Sequence, residues 1–135
     1  MCNEMNDEIE HNQDYIRLID AVLQEPAKVP AIVAEDRSIL EAQNCCGETA
    51  LHWLAVENNF EGVKLLRSLG AEIPEWAIHH AIEVGAMDMV ILLLELGAEP
   101  GIDVCNGYLN NGFWELIPKQ KRLLISYLRQ FGYEV

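Results

Sequence analysis

The sequence predicts an all-α chain built by repetition, a solenoid of short helix pairs. Three observations lead there. Displaced by 27 residues, the chain overlays on itself: Ala50, His52, Val63, Leu65, Leu66, Leu69, Gly70, Ala71 and Glu72 match Ala77, His79, Val90, Leu92, Leu93, Leu96, Gly97, Ala98 and Glu99. Within each copy the apolar residues recur at helical spacing. Each copy also closes on Leu-Gly-Ala-Glu, where the glycine supplies the left-handed residue that ends a helix.

The elements follow in chain order. Asp14 to Gln24 reads as a first helix and Ala27 to Glu35 as a second, with Pro30 limiting its start. "LEAQNCCGE" is a projecting turn. Thr49 caps the helix "ALHWLAVE", which places Leu51, Leu54 and Ala55 on one face. Asn58 and Asn59 stop it, because asparagine tolerates turn conformations. "FEGVKLLRSL" then directs Val63, Leu65, Leu66 and Leu69 to a core, and Gly70 ends it. Helices this short cannot bury their apolar faces alone, so successive pairs must stack.

The segment "GETALHWLAVENNFEGVKLLRSLGAE" closely resembles the ankyrin repeat, whose pattern centres on Gly-x-Thr-Pro-Leu-His followed by Leu-Leu and Gly-Ala; Ala50 stands where the family has proline. The resemblance implies an all-α ankyrin-repeat helical solenoid of about four helix–turn–helix units. They span residues 14–42, 43–73, 74–103 and 104–135, a single domain over 14–135 behind an acidic tail, 1–13. The family period is roughly 33 residues, so a spacing of 27 shortens the connection between units two and three. The chain should pass from Gly70 by a tight turn ending at Pro74 into the next helix, whose first turn suits Pro74 and Glu75; Trp76 aligns with the capping threonine. For the fourth unit, a displacement of 35 sets Phe113 under Ile78, Leu116 under Ala81 and Gly132 under Gly97. It predicts a final helix from Pro118 and a loop over "GIDVCNGYLNNG", given its glycine and asparagine content.

Charge bounds the function. Twenty-two acidic residues face nine basic ones, a formal net charge of −13. Between Arg67 and Lys119 there is no Lys or Arg at all. Such a chain is unsuited to gripping nucleic acid and points to a basic protein partner, or to a soluble self-repelling surface. No apolar run approaches the roughly 20 residues that span a bilayer, and the N-terminus resembles no export signal, so a cytoplasmic location is expected. Cys2, Cys45, Cys46 and Cys105 form no CxxC pair, and no metal-ligand spacing is present. No nucleophile elbow, phosphate loop or metalloprotease motif appears, so the expectation is a non-enzyme with no cofactor.

The resemblance assigns structural roles to His52, His79, Gly47, Gly70 and Gly97, with His52 tying neighbouring turns together by hydrogen bonds. It places partner binding on turn tips and on the exposed side of each first helix. Carried over, that surface comprises Cys45, Cys46, Glu48, Trp53, Val56 and Glu57, then Glu75, Trp76, His80, Glu83 and Val84, with Glu115 from the fourth unit. Acids interleaved with tryptophan and valine suit a binding face with aromatic anchors. The functional expectation is a small acidic inhibitor or immunity-type protein that blocks a basic toxin or nuclease, acting as a monomer or 1:1 heterocomplex. The alternatives are a regulatory adaptor joining cytosolic proteins and, below it, a DNA mimic.

Overall fold

A computed structural model of the chain describes residues 2–110 and 116–135, and side chains from residue 12 onward within them. Its α-helices are α1 Cys2–Gln24, α2 Val29–Glu35, α3 Ala50–Val56, α4 Phe60–Ser68, α5 Glu75–Glu83, α6 Met87–Glu95, α7 Ile102–Asn110 and α8 Pro118–Gln130. Short 3-10 turns cover Pro26–Lys28 and Arg37–Glu41. The residues group into two compact units, 1–72 and 73–135.

In the first unit, α1 begins at Cys2, so the stretch expected as a tail continues the helix expected from Asp14. Its stripe of Leu18, Ile19, Ala21 and Val22 is buried, and α1 packs on α2, on α3 and on the Arg37–Glu41 turn. Pro30 lies in the first turn of α2, where its missing N–H leaves no intrahelical bond unmade. Asp36 caps the following 3-10 turn by accepting from the Ser38 N–H at 3.0 Å and its hydroxyl at 2.6 Å. These bonds hold the Asp36 carboxyl below its ordinary pKa.

The second helix pair of this unit forms as the sequence directs. Thr49 Oγ1 accepts from the His52 N–H at 3.4 Å and caps α3. Asn58 takes φ +56°, and Asn59 caps α4 by accepting from the Gly62 N–H at 2.8 Å. α4 packs on α3 across Gly62, where an added Cβ would stand 3.1 Å from Leu54 Cδ1 and from Val22 Cγ1. At the end of α4 the Gly70 N–H bonds the Arg67 carbonyl and the Ala71 N–H bonds the Leu66 carbonyl, both at 3.0 Å. This pairing is the Schellman motif, and it requires the φ of +103° that Gly70 adopts. Arg37 Nη2 covers the last turn by donating to the Leu69 carbonyl at 3.0 Å.

The connection after Gly70 is short. Residues 71–74 have no helix or bridge, whereas an isolated bridge between Gln43 and Thr49 marks the hairpin ahead of α3. Pro74 flanks α5 in extended conformation, so the helix starts ahead of the position aligned with Thr49. Trp76 therefore lies inside α5 instead of capping it.

The second unit stacks two helix pairs. α5 packs on α6, α7 on α5, and α8 on α6. Helix α7 corrects the expected loop at "GIDVCNGYLNNG". Ile102, Cys105 and Tyr108 recur every three residues, and Cys105 and Tyr108 are buried, so an apolar stripe outweighs the glycine and asparagine content. α7 follows α5 at the same 27-residue displacement, Ile102 under Glu75 and Asn110 under Glu83. That register replaces the displacement of 35 for the first helix of the last pair. Its second helix begins at Pro118 as anticipated, with Gln120 Oε1 accepting from the Ile117 N–H at 3.1 Å.

Replacing Gly70 with alanine should destabilise the protein by about 1–3 kcal/mol, because φ is strained and the new Cβ would stand 2.6 Å from Arg37 Nη2. Gly132→Ala shares the strain, φ +91°, but meets nothing within 4 Å. Urea denaturation should rank Gly70→Ala as the costlier change, the difference being the displaced Arg37–Leu69 hydrogen bond.

Candidate functional site

In the first unit the proposed surface is built on the hairpin 43–49 and on α3. Asn44 organises the tip. Its Oδ1 accepts from the Cys46 N–H at 2.9 Å and the Glu48 N–H at 3.0 Å, and its carbonyl accepts from the Gly47 N–H at 3.0 Å. This turn exposes Cys45 and Cys46 and leaves Glu48 half-buried, its Oε1 accepting from Asn44 Nδ2 at 3.2 Å. Tyr15 of α1 hydrogen-bonds Asn44 from below; burial raises the Tyr15 pKa, that bond opposes the rise, and the charges of Glu48 and the two cysteines add to it. On α3 the buried face is Ala50, Leu51, Leu54 and Ala55. Trp53 and Val56 are half-buried on the other side, and Glu57 is exposed. His52 is half-buried beside Trp53.

In the second unit α5 presents a clear stripe. Trp76, His80, Glu83 and Val84 fall at i, i+4, i+7 and i+8, opposite the buried Ala77, Ile78, Ala81 and Ile82. Trp76 is 72% exposed and Val84 59%, large values for apolar side chains, while His80 and Glu83 are half-buried and Glu75 is exposed. The Trp76 ring meets His79 edge-on, with centroids 6.3 Å apart. Glu83 also faces α7: burial raises the Tyr108 pKa first, and the charge of Glu83 adds to it. Glu115 lies outside the described residues, and the α7 position under His80 is Gly107.

His79 is buried, with 7% exposure, and its Nε2 is 2.9 Å from the Pro100 carbonyl. It thus ties α5 to the start of the next helix pair without any hairpin. Cys105 Sγ donates to the same carbonyl at 3.3 Å, and burial pushes its thiol pKa up to about 11. Gly101 gives room for this junction: at φ +65°, its added Cβ would stand 3.0 Å from His79 Nε2. Sequence reasoning missed Tyr15, Asn44, Pro100 and the exposed Val104 of α7. The last was readable from the Ile102, Cys105, Tyr108 spacing, while the others depend on contacts distant in sequence.

Among the described residues no cluster of three or more His, Cys, Asp or Glu is placed to hold a metal ion. No described helix is long and apolar enough to cross a membrane. The ion pairs that the described residues form among themselves, Arg17–Glu35, Lys28–Glu25 and Lys64–Glu61, all lie in the first unit and are exposed.

The family model for ankyrin repeats, in three copies, matches residues 18–105. A putative palmitoyltransferase ZDHHC13 of Danio rerio is 32% identical over 94 residues, covering 64% of this chain and 14% of the relative. Palmitoyltransferase ZDHHC13 of Mus musculus is 40% identical over 57 residues, 37% of this chain and 9% of the relative. The chain thus spans only a small part of these curated relatives. No solved structure matches it.

Replacing His79 with alanine should cost about 1–3 kcal/mol, because the buried Pro100 carbonyl loses its shorter partner; thermal unfolding measures this. In the native protein at pH 8, iodoacetamide should label Cys45 and Cys46 and spare Cys105, whose thiol is buried and held protonated. Peptide mass mapping reads the outcome.

Proposed function

The chain belongs to the ankyrin-repeat family and is a protein-interaction module, and we propose that its partner is a protein with a basic surface. One observation supports this most: no Lys or Arg occurs between Arg67 and Lys119, and this interval holds the α5 stripe with Trp76 and Val84 exposed among Glu75 and Glu83. An exposed aromatic bordered by unneutralised carboxylates suits a lysine- or arginine-rich face. The aromatic supplies buried area and a site for cation–π contact, and the acids supply steering and register. Glu75 and Trp76 lie in the first turn of α5, with Trp76 on this stripe and Glu75 beside it. On this reading the protein acts by occupation, as a small acidic inhibitor of the immunity type on a basic toxin or nuclease. It forms a 1:1 complex in the cytoplasm, where exposed thiols such as Cys45 and Cys46 stay reduced.

A second reading, a regulatory adaptor, is favoured by the relatives. In them the matching segment is 14% or less of a much longer protein, so there the repeats are one part of a larger chain. The palmitoyltransferase activity in their names belongs to those proteins. This chain matches them only in a region that overlaps its repeats, and ankyrin repeats are typically non-catalytic. The two readings part on one point: an inhibitor abolishes the activity of its partner at one equivalent, and an adaptor leaves it intact.

The placement of the face is testable with a fluorescent oligo-arginine peptide as the basic probe. Glu75→Lys with Glu83→Lys, both on α5, should weaken binding by roughly tenfold, since surface carboxylates contribute up to about 1 kcal/mol each. The loss should shrink as salt rises and the screening length falls below about 8–10 Å. The paired reversal Glu4→Lys with Glu8→Lys makes the same change in net charge near the N-terminus. Equal losses from both pairs, measured by fluorescence anisotropy, would refute the placement on α5.

A further inference from the structure

The hairpin tip carries a pair of thiols whose chemistry is distinct from its contacts with a protein partner. Cys45 and Cys46 are the two central residues of the turn that Asn44 and Gly47 close, and both are exposed. Their sulfurs stand 3.9 Å apart. That separation is far beyond the about 2.0 Å of a disulfide. It lies within the about 4.6 Å that two bonds of about 2.3 Å to one shared centre can span, so a small side-chain rotation lets both sulfurs reach the same atom. The turn holds the pair in place: Asn44 Oδ1 accepts from the N–H of Cys46 and of Glu48, and the Asn44 N–H donates to the Glu48 carbonyl at 3.0 Å.

We infer that Cys45 and Cys46 form a two-thiol chelating site for a soft, thiophilic centre of the monosubstituted trivalent arsenical class. The ligand count selects that class. Structural zinc requires four protein ligands, and no third His, Cys, Asp or Glu joins the pair among the described residues. A monosubstituted trivalent arsenical carries its own third substituent, so two thiols complete it. Phenylarsine oxide shows the balance: both S–H bonds and the arsenic–oxygen bond break, two arsenic–sulfur bonds form, and the two protons leave with the oxygen as water. Arsenic remains trivalent and no electrons are exchanged. Closure of the second arsenic–sulfur bond is intramolecular, because the second thiol is already beside the first.

The test uses the full chain, reduced, with one equivalent of phenylarsine oxide, read by intact mass. The expected product is a single adduct, heavier by phenylarsine oxide less one water. It should survive excess glutathione and be removed by 2,3-dimercaptopropanol. Cys45→Ser and Cys46→Ser each leave one thiol on an exposed turn, and circular dichroism checks their fold. Each should retain the adduct against glutathione on the order of 10²-fold less well than the parent chain, the loss expected when an intramolecular second bond is removed. Release of the parent adduct by glutathione would overturn the inference, and so would equal retention by either serine variant. The readout is a mass and not a binding event, so this site and the basic-partner reading can fail independently.

Discussion

One backbone device recurs through both units, and the helix pairs depend on it. At Gly70, Gly85, Gly97 and Gly132 the chain turns left-handed after a helix. The next N–H reaches back to a carbonyl five residues earlier: Ala71 to Leu66, Ala86 to Ala81, Ala98 to Leu93 and Tyr133 to Leu128, at 2.8–3.0 Å. Asn58 does the same after α3, with the Asn59 N–H bonded to the Leu54 carbonyl at 2.8 Å. A helix of nine residues leaves its last carbonyls without intrahelical partners, and this motif satisfies them while reversing the chain. The reversal brings α3 against α4 and α5 against α6, and those pairings bury Leu54, Leu66, Ile82 and Val90 completely.

Stacking of successive pairs is a separate requirement, met differently in the two units. In the first, the hairpin braced by Asn44 and seated over Tyr15 precedes α3. In the second, no hairpin precedes α7; the buried His79 instead bonds the Pro100 carbonyl directly. Ahead of α5 the connection is likewise short, residues 71–74 having no helix or bridge, and Trp76 lies exposed in the first turn of that helix.

Much of this was legible because it is local. Thr49, Asn59 and Gly70 act within a few residues of themselves, so their types in sequence foretold a cap, a turn and a stop. The 27-residue displacement even holds from α5 to α7. Composition misleads where period does not: the glycine and asparagine of 101–112 suggest a loop, although Cys105 and Tyr108 carry a buried stripe. The start of α5 was legible too, since Pro74 and Glu75 suit a first helical turn and the helix begins at Glu75. The His79–Pro100 bond spans 21 residues and follows from packing, which no local pattern encodes.

The functional account rests on α5 presenting its outer stripe to a basic partner. The most direct measurement is a ¹H–¹⁵N spectrum of the chain titrated with an oligo-arginine peptide. The account predicts that the Trp76 indole N–H and the amides of Glu75 to Val84 shift on binding, while those of Met89 to Leu94 on α6 stay in place. Shifts confined to α1, or spread evenly over every exposed carboxylate, would contradict it.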